Sequence, residues 1–279
     1  MIRLLFVVSL IALLVACEIE IALSDNANPA SSSNNFEVEN RSNGPSTDQV
    51  LRLCEESRSE LFRVWGGDQA GITWEPRCKI RVHQTRADYF RRIGFAGGQT
   101  NGCSSIEFRD GKVVVREIDL LLDQAGELPA LPHELTHIVL ADLLRGRQPP
   151  HWLDEGVAML ADTTTKQHLH LRDCREAISA GKTMALSQLL PLQSFSSADQ
   201  MPTFYGQSLL LVRMLAEQSS PAKVIEFANS SLDHGTEVAL KSHYQIANLD
   251  ALERKWRSFA FHQLSLETPA AVVSVRFKP

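Results

Sequence analysis

Residues 131–162 read LPHELTHIVLADLLRGRQPPHWLDEGVAMLAD, two apolar helical patterns separated by a break at Gly146 and Pro149-Pro150. The first pattern, Leu131 to Leu144, has Pro132 in its first turn, where a missing N–H costs nothing, and Leu135, Ile138 and Val139 for packing. The second runs from Leu153 to Asp162. In the first, His133 and His137 are four residues apart, which sets their imidazoles one turn apart on one face. Two nitrogens on such a platform can hold one tetrahedral zinc ion, with Glu134 beside them placed to touch a zinc-bound water rather than the metal. Zinc lowers the pKa of that water toward about 7, and a carboxylate can take its proton and pass it to a leaving amine. The motif HExxH also arises by chance, so the assignment needs a third protein ligand.

That ligand is sought in the second pattern, where Asp154-Glu155-Gly156 follows directly on the Pro-rich break, at a distance that allows an antiparallel return. Asp154 and Glu155 are rival candidates. The context Trp152-Leu153-Asp154-Glu155-Gly156-Val157-Ala158 resembles the W-x-x-E-G-x-A stretch of the gluzincins, the thermolysin-like and aminopeptidase-like zinc peptidases. The likeness to bacterial peptidase MA-like domain proteins is closer, over roughly 131–161 and more loosely 205–215. The resemblance implies a zincin-like fold, one zinc ion held by His133, His137 and Glu155, Glu134 as general base, and a peptide or protein substrate. In the best-known members an Asp four residues after the ligand Glu orients one histidine; here that position is Met159. Asp162, seven residues after Glu155 on the same helical face, and a backbone carbonyl are the alternatives.

Further residues are candidates with competing roles. Tyr205 opens a helical pattern about fifty residues beyond Glu155, and gluzincins commonly use a Tyr or His from a later helix on the tetrahedral oxyanion. A phenol can donate without carrying charge; the alternative is a core aromatic. His151, one turn before Glu155, either lines the site or is a partly exposed helix-start residue. His168 and His170 read as surface residues, and His83 as structural. The strand Val113 to Leu122, or its neighbour, is a candidate edge for an extended peptide; the competing expectation is an internal strand. Gly94, Gly97, Gly98 and Gly102 lack phosphate-loop spacing and read as a turn.

Farther out, Cys78 to His83 alternates as a strand, and Ser104 to Phe108 with Lys112 to Leu122 form a hairpin across Asp110-Gly111. Asp48 to Val64 is helical, as are Phe204 to Glu217, Ala222 to Ser230 and Leu249 to Leu266. Strands first and helices after argue an α+β domain. The expected architecture is a small mixed or antiparallel sheet packed on the active-site helix, then a mostly helical C-terminal part.

Arg3 followed by the apolar run Leu4 to Ala16 has the build of a secretory signal. Leu14-Val15-Ala16-Cys17 resembles the bacterial lipobox, which would tether the chain to a membrane through lipid on Cys17; later cleavage and an uncleaved anchor are the alternatives. Each places the domain outside the cytoplasm. Five cysteines leave four once Cys17 is set aside, and the anticipated disulfides are Cys54–Cys78 and Cys103–Cys174. Ser24 to Asp48 is poor in large apolar residues and reads as a flexible tether. The expected organisation is a signal over 1–17, a tether over 18–47, the catalytic domain over 48–266 and a tail over 267–279. Among 279 residues with a net charge of −5 there is no basic stripe, so nucleic acid is not an expected partner. Besides a peptidase, the sequence allows a zinc-stabilised, membrane-tethered binding or sensor module without turnover.

Overall fold

The computed structural model describes residues 31–66, 73–94 and 100–266. The signal, Cys17, Gly97, Gly98 and the tail lie outside them. The described residues form an α+β structure of two compact units: 31–55 with 73–94, 100–107 and 114–131, and 56–66 with 108–113 and 132–266.

The first unit holds a five-stranded mixed sheet in the order β1-β2-β3-β5-β4. Strand β1 (Ser31–Ser32) runs antiparallel to β2 (Phe36–Arg41), which is parallel to β3 (Cys78–His83) in the register Phe36 to Cys78. β3 is parallel to β5 (Lys112–Leu121), with Ile80 opposite Ile118. Parallel neighbours need a crossover, and the helices α1 (Thr47–Leu61) and α2 (Arg86–Ile93) lie in those connections. β4 (Gly102–Arg109) leads into β5 through Asp110 and Gly111, whose φ values of 51° and 71° suit a tight hairpin turn.

Two expectations change here, and one pair of alternatives is decided. Phe36–Arg41, assigned to the tether, is a sheet strand in which Phe36 and Val38 are fully buried. Its two large apolar residues suffice because Trp74 packs edge-on against Phe36 at 5.3 Å, and Glu55 accepts hydrogen bonds from Ser33 Oγ (2.6 Å) and Asn35 Nδ2 (2.8 Å). The strand Val113 to Leu122 corresponds to β5, which lies between β3 and β4 and is therefore internal; β4 is an edge. The anticipated disulfides are not formed: Cys54 and Cys174 are buried thiols, with burial pushing Cys174 up to about 12. A buried thiol packs as a small hydrophobe, and an even cysteine count gives no information on geometry. His83 is structural, as expected, with its Nε2 2.6 Å from Asp119 Oδ1.

The second unit contains α3 (Leu131–Leu143, from residue 132), α4 (His151–Leu160), α5 (Thr164–Ser179), α6 (Leu186–Leu189), α7 (Gln200–Gln218), α8 (Pro221–His234), α9 (Thr236–Tyr244) and α10 (Leu249–Leu266). Its centre is α7, which packs against α4, α5, α8 and α10 and buries Phe204, Leu209, Leu210, Leu211, Val212 and Leu215. Two glycines permit close approaches between helices. A Cβ on Gly156 of α4 would stand 2.7 Å from Ser208 O and 2.5 Å from Val212 Cγ2 of α7. A Cβ on Gly206 of α7 would stand 2.5 Å from His170 O and 2.7 Å from Cys174 Cβ of α5. Each glycine immediately follows a candidate site residue, Glu155 or Tyr205, so backbone contact fixes where those side chains start. No described helix is long and apolar enough to cross a membrane.

Candidate metal centre

Helix α3 is buried on nearly every side: Leu135, Ile138, Val139, Leu140 and Ala141 are at most 1% exposed. Polar side chains on such a helix are costly unless they meet partners or ligands. His133 and His137 stand with ring centroids 5.0 Å apart and planes at 77°. After the Pro149-Pro150 break, α4 brings Glu155 to the same place. Ligand atoms of His133, His137 and Glu155 all lie within 4.8 Å of one another, with His133 Nε2 3.9 Å from Glu155 Oε2. Two ligands of a tetrahedral zinc ion are about 3.3 Å apart, so modest closure of the side chains completes the fit.

The remaining ring nitrogens are held by carboxylates. Asp162 Oδ2 lies 3.1 Å from His133 Nδ1, and Asp154 Oδ1 lies 2.9 Å from His137 Nδ1. A carboxylate on Nδ1 fixes the tautomer that leaves Nε2 as the donor to a metal and makes it more basic. Of the two alternatives open in the sequence for orienting a histidine, Asp162 is the side chain that lies beside His133. Asp154, the rival third ligand, sets its carboxylate beside His137 Nδ1 and is not among the donor atoms of His133, His137 and Glu155 that lie together. Its role was not legible because adjacent residues on a helix point about 100° apart, so only one of Asp154 and Glu155 faces the shared space. Asp162 is anchored in turn: Lys166 Nζ donates to its Oδ1 at 2.9 Å, and Gln167 Nε2 donates to its backbone carbonyl at 2.9 Å.

Charge also favours a cation. Burial works against a charged His137, but Asp154, Glu155 and Glu134 outweigh it and raise its pKa to about 10. The same surplus of nearby negative charge is an electrostatic environment that attracts cations. Asp162 is held below the usual carboxylate range: burial opposes ionisation, and His133 with Lys166 overcomes it. Glu134 is 8% exposed, and no described residue hydrogen-bonds or ion-pairs with its carboxylate.

Three further side chains lie near these groups. Tyr205, near the start of α7, is kept neutral by burial and by the negative charge of Glu155. His151 Nε2 lies 3.9 Å from Glu155 Oε1; its side chain is 11% exposed and packs between Phe204 and Phe195, at 4.6 and 5.5 Å. It lines the site, and burial favours its neutral form. His170, expected on the surface, is partly buried on α5 with its ring 5.9 Å from that of Tyr205. Burial lowers its pKa as well. The run Gln-His-Leu-His-Leu suggests alternation, but it lies in a helix capped by Thr163, so His168 and His170 face different directions. His168 is exposed, as expected.

Comparison with protein-family models gives no match, and comparison with curated protein sequences gives no significant match.

Proposed function

We propose that this chain is a zinc-dependent peptidase of zincin-like fold that hydrolyses peptide bonds with a Glu-activated water. The observation that supports it is the meeting of His133, His137 and Glu155 from two successive helices, each histidine backed by its own carboxylate. A donor set of two imidazoles and one carboxylate suits zinc and leaves a fourth position for water. Bound zinc would supply a Lewis acid and an acidified water.

The chain's own groups do the rest. Glu134 takes a proton from the attacking water and returns it to the leaving amine nitrogen, so that peptide and water become an acid and an amine. Asp154 and Asp162 keep the two rings oriented while charge redistributes. Tyr205 stays a neutral phenol and donates a hydrogen bond to the oxygen of the attacked carbonyl. The signal-like N-terminus suggests work outside the cytoplasm, tethered if Cys17 is lipidated.

The test is digestion of an unfolded protein substrate by zinc-loaded chain, with and without chelator, beside Glu134→Gln. The proposal expects cleavage that chelator abolishes and that the variant lacks, with zinc retained by the variant. Zinc binding without cleavage in either form would favour the non-catalytic module instead.

A further inference from the structure

The two oxygens of Glu155 face different imidazoles. Oε2 lies 3.9 Å from His133 Nε2, on the side of the metal ligands, while Oε1 lies 3.9 Å from His151 Nε2. His151 begins α4, four residues before Glu155, so both side chains rise from one face of the same helix. It falls outside the group of His133, His137 and Glu155, whose ligand atoms all lie within 4.8 Å of one another. Its ring is held from two sides, tilted 37° over Phe204 and 54° against Phe195, and these rings pack on each other at 5.2 Å. An imidazole clamped in this way has little freedom to leave the carboxylate.

A carboxylate can bind a metal through one oxygen or through both. Two-oxygen binding would fill the coordination position that a hydrolytic water needs. From the opposed placement of His133 and His151 we propose that His151 is a positioning residue that engages Glu155 Oε1 and confines the third ligand to single-oxygen coordination through Oε2. This inference rests on the zinc assignment above. At 3.9 Å the contact is longer than a direct hydrogen bond, and it is completed by a small rotation of the carboxylate or by one bridging water. His151 touches neither the reacting atoms nor the metal, so its effect is on affinity and coordination number.

The experiment replaces zinc with Co2+ in the whole chain and reads its visible absorption, together with Zn2+ affinity measured against a chromophoric chelator. The proposal expects an intense four-coordinate cobalt spectrum in the wild type. It expects a weaker, five-coordinate one in His151→Phe, which keeps the aromatic packing but has no hydrogen-bonding nitrogen. Zn2+ affinity should fall about 10- to 100-fold in His151→Phe. His151→Gln, which restores a donor, should return within about 3-fold of wild type (same scale). A five-coordinate wild-type spectrum overturns the proposal whatever the variants do, as does a folded His151→Phe with wild-type spectrum and affinity. If the wild type binds neither ion, the metal assignment itself has failed, a result distinct from both.

Discussion

Asp154 Oδ1 lies 2.9 Å from His137 Nδ1, while the next residue, Glu155, turns its carboxylate toward His133 Nε2. Under the proposed zinc assignment, these neighbours of like charge divide two tasks, one orienting a ligand and one serving as a ligand. Substitution separates them. Asp154→Asn should weaken zinc binding by about 10- to 100-fold without abolishing it. Glu155→Ala removes a donor and should reduce affinity well beyond that. Competition against a chelator of known affinity measures both, and the reverse order of losses would exchange the two roles.

Gly156 and Gly206 set intrinsic propensity against packing. Alanine is favoured over glycine inside a helix by about 1 kcal/mol. Yet a Cβ at either position would stand 2.5–2.7 Å from its two nearest atoms in the facing helix. Overpacking of this kind costs about 1–3 kcal/mol, so packing should win. Gly156→Ala and Gly206→Ala are both expected to lower the urea midpoint of the metal-free chain. A raised midpoint would mean that α4 and α5 are not pressed backbone-to-backbone on α7.

The pH dependence of the metal-free chain follows from His137. Its folded pKa is raised to about 10 from an ordinary value of 6.5. The stabilisation it contributes is therefore fully present below about pH 6.5 and is lost as pH rises toward 10. Unfolding free energy, measured by urea titration at several pH values across that window, should decline with pH. His137→Gln should flatten the decline. Zinc affinity should move oppositely, tightening as the competing proton leaves.

Legibility in the sequence followed spacing. His133, Glu134 and His137 sit at intervals that one helix places on or beside one face, so the pair and its neighbouring acid could be named directly. Glu155 needed the context of Trp152 and Gly156, and the structure gives Gly156 a physical reason, the Ser208 backbone against it. The placement of Asp154 beside His137 and the partial burial of His170 depend on how α4 and α5 approach other helices, which local pattern does not encode. The strand Phe36–Arg41 was hidden by its Ser- and Asn-rich surroundings. Its burial relies on Trp74 and Glu55, both distant in sequence. The α+β class survived because hairpin turn and helix periodicity are local signals. The parallel pairing of β2, β3 and β5 is not local and did not show.

Cys174 tests the correction about disulfides. Its thiol is buried, with a pKa pushed up to about 12, so it has little thiolate at neutral pH. Iodoacetamide should leave it unmodified in the native chain and modify it after unfolding without any reductant. Peptide mass spectrometry that finds it oxidised to a disulfide would contradict the structure.

Tyr205→Phe removes only the phenolic O–H. The expected result is a loss of about 100-fold or more in kcat with little change in KM, because the bond forms to charge that develops during reaction. A change confined to KM would place Tyr205 in substrate binding alone.

The most direct test of the account is zinc stoichiometry by elemental analysis on wild type, Glu155→Ala and His133→Ala, purified side by side. One zinc per wild-type chain, absent from both variants after brief dialysis, is the predicted result. Zinc-free wild type under metal-replete conditions, or variants that keep a full equivalent, would contradict a centre built from α3 and α4.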